Sequence, residues 1–267
     1  MRKIAFIGVG NMANAIIGGL LRSGAVDCPH LILSDKFPEK CVPYAEGGAI
    51  LASSPAQAAA AADCVVLAVK PQNFPEVLDE LSRVEGIENK LIVTIAAGIT
   101  VETVKTALRG ADTVRVLPNT PMLIGMGVSV ICRAPDVDPA DFAFVTAMFE
   151  ASGSVTVIDE AEMNRIISVT SSSPAYVFAF IHAICEGAKA QGLDGDALLP
   201  AVGDMVIGSA TLLRDGGLSP NQQISRVTSK GGTTERAMAG LSERGMADMV
   251  KDAMQACTNR ADELANN

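Results

Sequence analysis

The sequence has no tryptophan, only two histidines and two tyrosines, and none of its six cysteines stands in a C-x-x-C pair. Zinc sites and disulfide frameworks both need clustered cysteines or histidines, so neither fits this spacing. A basic block is missing too: the net charge is −9 and the pI is about 4.8. Without a stripe of lysine and arginine to meet phosphates, no nucleic-acid partner is expected. The start, Met-Arg-Lys-Ile-Ala-Phe, runs straight into a turn motif without the apolar core and cleavage site of a secretory signal, which predicts a cytoplasmic protein. The longest uncharged stretch, 166–185, is nearly long enough to span a bilayer, but Thr170, Ser171, Ser172, Ser173 and Pro174 make its middle too polar for lipid. A helix buried against protein is expected there, and no membrane.

What is present is an apolar fraction of 49% over 267 residues, enough for one large domain or two ordinary ones. Up to about residue 160, short β-branched runs alternate with Ala-rich helical runs. Strands are predicted at 3–7, 31–34, 64–69, 91–95, 113–117, 128–132 and 155–158. Continuous apolar runs such as Val65-Val66-Leu67-Ala68-Val69 imply burial on both faces, as in a parallel sheet covered by helices on each side. Beyond Glu160 the strand signals stop, and 175–191 and 197–214 carry helical spacing. The methionines at 238, 246, 249 and 254 follow approximate helical spacing and are expected in a core or a subunit interface. The prediction is an α/β chain: a doubly wound parallel sheet over 1–159, then an all-helical domain over 160–267.

Directly after the first strand, Gly8-Val9-Gly10-Asn11-Met12-Ala13 matches G-x-G-x-x-A and opens a helix. Gly8 suits the tight turn, Gly10 a close backbone approach to pyrophosphate, and Ala13 close helix-to-strand packing, while the helix N-terminus faces the anion. This is the Rossmann-like context for a dinucleotide. Asp35 closes the second strand, where a carboxylate accepts hydrogen bonds from the ribose 2′-OH of NADH, while the adjoining Lys36 could pair with the 2′-phosphate of NADPH. Either cofactor is compatible with these residues, and either residue could also be a solvated strand end.

Further segments resemble the pyrroline-5-carboxylate reductase family in order and spacing. They are Ala68-Val69-Lys70-Pro71-Gln72, Ala96-Ala97-Gly98, Arg115-Val116-Leu117-Pro118-Asn119-Thr120-Pro121, Pro174-Ala175-Tyr176, and Val227-Thr228-Ser229-Lys230-Gly231-Gly232-Thr233-Thr234. The resemblance implies that Ala68, Val69, Lys70, Pro71, Ala96, Ala97, Gly98 and Asn119 touch NADPH or NADH. It further implies that Ser229, Gly232, Thr233 and Thr234 hold the carboxylate of a cyclic imino acid, with Thr234 orienting it for hydride transfer. Converging N–H groups and a helix N-terminus make an anion site there physically reasonable, and compatible with simple capping. Glu160 falls where the resemblance puts an acidic residue at the ring nitrogen, yet it reads equally as a first-turn glutamate complementing a helix dipole. The implied reaction is reduction of 1-pyrroline-5-carboxylate to proline, in a homo-oligomer built through the helical domain, at least a dimer and up to a decamer.

The chain departs from the family pattern at several points. Thr170-Ser171-Ser172-Ser173 replaces Ser-Gly-Ser-Gly, which removes backbone freedom. Ile167 replaces a threonine, His182 a glutamate, and Lys36 an arginine. His182 lies among Phe178, Phe180, Ile181 and Ile184 and is read as a packed side chain. Two other readings are a β-hydroxyacid dehydrogenase, for which only Lys189 and Lys230 could serve as the acid–base lysine, and a noncatalytic NAD(P) sensor.

Overall fold

The short apolar runs become strands that are buried at almost every position: β1 (Ile4–Ile7), β2 (Leu31–Ser34), β4 (Cys64–Leu67), β5 (Leu91–Thr94) and β6 (Thr113–Leu117), with a two-residue β3 (Ile50–Leu51) between β2 and β4. Two more, β7 (Gly127–Arg133) and β8 (Gly153–Val157), complete one sheet in the order β3-β2-β1-β4-β5-β6-β7-β8. This computed structural model describes residues 1–133 and 136–265. Every pairing is parallel except β6 with β7, which is antiparallel. The expected sheet is therefore present, corrected in two places. β3 was not predicted, because two exposed residues carry no periodicity, and the sheet is mostly rather than wholly parallel.

Alternation along each strand divides the core in two. Ile4, Phe6, Leu31, Leu33, Val66, Val93, Val114 and Val116 face one side. There they pack with residues of α1 (Asn11–Ser23), such as Ile16 and Leu20, and of α6 (Pro139–Glu150), such as Val145 and Phe149. Ala5, Ile7, Ile32, Val65, Leu67 and Ile92 face the other side, with α3 (Pro55–Ala60), α4 (Phe74–Ser82) and α5 (Val101–Ala107). A four-residue α2 (Val42–Ala45) follows β2.

After β8 the chain is helical: α7 (Glu160–Ile166), a π-helical turn at Ile167–Ser171, α8 (Ser173–Ala190), α9 (Leu199–Asp215), α10 (Pro220–Val227), α11 (Thr233–Glu243) and α12 (Met246–Ala265). By compactness the chain forms two units, Met1–Pro174 together with the segment from Cys257 onward, and Ala175–Ala256. These limits differ from a cut at 159/160, because α7 and the end of α12 pack with the sheet: Met163, Ile167 and Ala261 belong to its first core.

The helical unit has almost no interior of its own. Among its described residues Cys185 is the one buried hydrophobic, whereas Val177, Phe178, Phe180, Met205, Ile207 and Leu212 are exposed. Met249 is exposed as well, so the methionine stripe is not core of the single chain. The helical run Glu160–Ala190 is long and apolar enough to cross a membrane, yet only 11% of its most apolar window is buried. Among the described residues of its own chain, the helix expected to be buried against protein is thus largely uncovered.

Candidate active site

Five neighbouring parallel strands deliver the predicted cofactor residues to one edge of the sheet. Gly8 and Gly10 follow β1, Asp35 and Lys36 follow β2, residues 68–71 follow β4, residues 96–98 follow β5, and Asn119 follows β6. The order β2-β1-β4-β5-β6 lines them up at the carboxyl ends, where open parallel sheets bind ligands. Backbone bonds fix the row: Gly8 N–H donates to the Ser34 carbonyl (2.8 Å), Ala68 N–H to that of Ile7 (2.8 Å), and Ile95 N–H to that of Leu67 (3.3 Å).

The two fingerprint glycines do different work. Gly8 has φ +92°, and a Cβ there would lie 2.8 Å from the carbonyl carbon and oxygen of Ala68, so no side chain fits. Gly10 has an ordinary φ of −87°, and a Cβ would meet nothing within 4 Å. No protein atom occupies its open side. Gly10 is also the N-cap of α1 and gives it no side-chain cap, so the first-turn N–H groups at Asn11, Met12 and Ala13 await an acceptor. Ala13 is buried against the sheet, as its small size requires. This cradle fits a pyrophosphate.

Asp35 is occupied differently from expectation. Its Oδ2 accepts the Val9 N–H at 2.7 Å, and its Oδ1 accepts the Phe37 N–H at 2.9 Å and pairs with Lys40 Nζ at 3.3 Å. Burial alone would raise its pKa, but these bonds together hold the carboxyl below the usual range. With 8% of the side chain exposed, Asp35 clamps the glycine turn to β2. Lys36 is exposed beside it, and Lys40, not singled out from the sequence, adds a second cation stacked over the Phe37 ring at 4.7 Å. Tyr44, also unnoticed in the sequence, donates its hydroxyl to Asn14 Oδ1 of α1 at 2.7 Å.

The remaining crevice segments are rigid. Lys70 is extended before Pro71, which opens a short 3-10 turn, as proline requires of its neighbour. At Gly98, φ is +77° and a Cβ would fall 2.6 Å from Leu264 Cβ, so the end of α12 is seated on the turn at 96–98. Asn119 is buried, its Oδ1 accepting from Val128 N–H (2.9 Å) and its Nδ2 donating to the Thr170 carbonyl at the π-helical turn (3.1 Å). These two bonds fix the amide between β7 and the π-helical turn.

Glu160 also has an unexpected occupation. Its Oε1 accepts the Val101 N–H at 2.8 Å and lies 3.5 Å from Arg115 Nη1. Arg115 projects from β6, is 1% exposed, and donates from Nη2 to Asn164 Oδ1 at 2.7 Å. Burial pushes the guanidinium below its usual pKa, with Glu160 pulling it back up.

In the helical unit, Ser229, Gly231 and Gly232 form the turn that opens α11. Gly231 has φ +73°, Gly232 N–H donates to the Ser229 carbonyl at 2.9 Å, and a Cβ on Gly232 would lie 2.5 Å from Ser229 Oγ. Gly232 is the N-cap and supplies no side-chain cap to Thr233 and Thr234 in the first turn. One donor is already taken, since Gly231 N–H donates to Glu235 Oε2 at 2.8 Å. The sequence reading missed that internal carboxylate.

Comparison with known proteins gives this geometry its chemistry. Residues 160–264 match the family described as pyrroline-5-carboxylate reductase dimerisation, and residues 3–98 match NADP oxidoreductase, coenzyme F420-dependent. The chain is 36% identical to the pyrroline-5-carboxylate reductase of Vibrio alginolyticus, over 98% of this chain and 97% of that one. The chain belongs to the pyrroline-5-carboxylate reductase family. The Escherichia coli (strain K12) pyrroline-5-carboxylate reductase is 35% identical over 99% of this chain and 98% of its own. The crystal structure of the Plasmodium falciparum pyrroline carboxylate reductase with NADP bound shares the fold, with a TM-score of 0.89 at 24% identity, covering 99% and 98% of the two chains. As a pyrroline-5-carboxylate reductase, the chain reduces 1-pyrroline-5-carboxylate to proline with NAD(P)H. Of the two lysines the dehydrogenase alternative would need, Lys189 is held by Asp196 (2.9 Å) and Glu186 (3.0 Å), which raise its pKa.

Proposed function

We propose that residues of the first unit hold the cofactor and that residues at the start of α11 hold the imino acid. The α1 cradle at Gly10, Asn11, Met12 and Ala13 takes the pyrophosphate. Ala68, Val69, Lys70 and Pro71, with Ala96, Ala97 and Gly98, flank the ribose and nicotinamide. Bound there, the reduced nicotinamide supplies the hydride. Lys36 and Lys40 favour NADPH, because two cations stand at the end of β2 while the Asp35 carboxylate that would repel a 2′-phosphate is turned into the protein.

The substrate carboxylate is taken by Ser229, Gly232, Thr233 and Thr234. The observation that carries this reading is the start of α11: a glycine N-cap without a capping side chain leaves first-turn N–H groups for an anion, where the helix dipole adds to the attraction. Thr234 orients the ring for attack. No side-chain general acid is required, since a substrate already protonated on nitrogen brings the proton that proline keeps. Thr234→Ala is expected to raise the KM for 1-pyrroline-5-carboxylate about tenfold, the loss of one hydrogen bond to a charged group, while the Kd for NADPH stays constant. Steady-state kinetics paired with fluorescence titration checks this; an unchanged KM would remove Thr234 from the site.

The uncovered helical unit supports association through residues 175–256, as a dimer at least, with dimers free to assemble further up to a decamer. An acidic enzyme acting on a small molecule needs no nucleic acid or membrane, and the cytoplasm is where we place it.

A further inference from the structure

Arg115 stands in β6 between valines, among residues buried on both sides, and such a residue needs a reason to be charged. Its partners supply one. Nη1 faces Glu160 Oε1 at 3.5 Å, Nη2 donates to Asn164 Oδ1 at 2.7 Å, and Nε has no partner. Asn164 in turn donates from Nδ2 to Asp262 Oδ1 at 2.9 Å, near the C-terminal end of α12. This set of contacts reaches the crevice at the turn 96–98. Glu160 holds the N–H of Val101, the first residue of α5 and three positions beyond Gly98, while Leu264, two positions beyond Asp262, sits on Gly98 itself.

We propose that Arg115 is a positioning residue for hydride transfer: it fixes Glu160 and Asn164, which pin the turn at 96–98 from its two sides, through Val101 and through the end of α12. The proposal rests on the reading that this turn flanks the nicotinamide. An ion pair with a buried member seldom adds net stability, but in some proteins such pairs hold one geometry, and a turn that backs a reacting ring benefits from having only one. Arg115 touches no reacting atom and acts through Glu160 and Asn164. Glu160, read from the sequence as a contact to the ring nitrogen, becomes part of the brace.

The test compares Arg115→Met, Arg115→Lys and Glu160→Ala, together with the Arg115→Met/Glu160→Ala double variant. In the cofactor-free protein, the Val101 amide should exchange with deuterium faster, on the order of tenfold or more, in Arg115→Met and Glu160→Ala, with amides of β1 and β4 unchanged. In turnover, Arg115→Met should lower kcat on the order of 10- to 100-fold with KM for the imino acid within about threefold, and the isotope effect from nicotinamide-deuterated NADPH should rise as hydride transfer becomes limiting. The double variant should be no worse than the single ones, because the residues act as one device, and Arg115→Lys should recover part of the loss. If Arg115→Met does not fold, Glu160→Ala and Arg115→Lys carry the same readouts at a more exposed or charge-conserving position. Unchanged Val101 exchange, or a loss of kcat with an unaltered isotope effect, overturns the proposal. Ala97→Leu separates it from its premise: if that variant leaves kcat and the isotope effect intact, the reading of the turn fails, and if it lowers kcat while Arg115→Met does not, only the brace fails.

Discussion

Gly10→Asp is expected to weaken NADPH binding on the order of 1,000-fold while leaving the folded protein nearly as stable as before. The two halves of that expectation come from the same observation. A Cβ at position 10 would meet no protein atom within 4 Å and needs no unusual φ, so folding has little reason to suffer. The new carboxylate would instead stand where a pyrophosphate is to lie, and two like charges about 4 Å apart cost roughly 4 kcal/mol at an effective dielectric constant near 20. Fluorescence titration with NADPH, alongside a thermal melt, reads both. A large drop in melting temperature with normal affinity would show that Gly10 is needed by the fold and not by the cofactor.

The second large effect concerns association. Phe178 is 63% exposed in a unit that has a single buried hydrophobic among its described residues, and such a unit cannot offset its own conformational entropy. Sedimentation at micromolar concentration should therefore show at least a dimer and no stable 27.6 kDa species. Phe178→Asp should raise the dissociation constant on the order of 1,000-fold. Full burial of a phenylalanine is worth about 1.5–3 kcal/mol, and a two-fold interface loses it twice. A folded wild-type monomer with a melting temperature independent of concentration would contradict this.

Much of the first unit could be read from residue order alone, because parallel strands buried on both faces announce themselves as unbroken apolar runs. Val65-Val66-Leu67 is such a run and is wholly buried. β3 escaped because Ile50 and Leu51 are exposed and too few; β7 was predicted as a strand at 128–132, but not its antiparallel direction, because periodicity carries none. The glycine turn was legible since Gly8 and Gly10 sit where strand passes into helix. What neighbours do to a side chain was not: Asp35 looks the same in a string of letters whether it faces ribose or, as here, the N–H groups of Val9 and Phe37. Asn119 and Glu160 are alike in this, each captured by a partner far along the chain. Glu235 and Lys40 gave no signal, being ordinary charges on solvated turns. Arg115 did give one, as a lone charge inside Thr113–Leu117, and its meaning emerged only with Glu160 and Asn164 beside it.

This crevice reduces a five-membered cyclic imino acid. The most direct measurement follows nicotinamide absorbance with 1-pyrroline-5-carboxylate, its six-membered homologue and a β-hydroxy acid, each with NADPH and with NADH. Turnover of 1-pyrroline-5-carboxylate to proline is expected, faster with NADPH, and none with the hydroxy acid. Turnover of the hydroxy acid, or tight NADPH binding with no reduction of either imine, would contradict it.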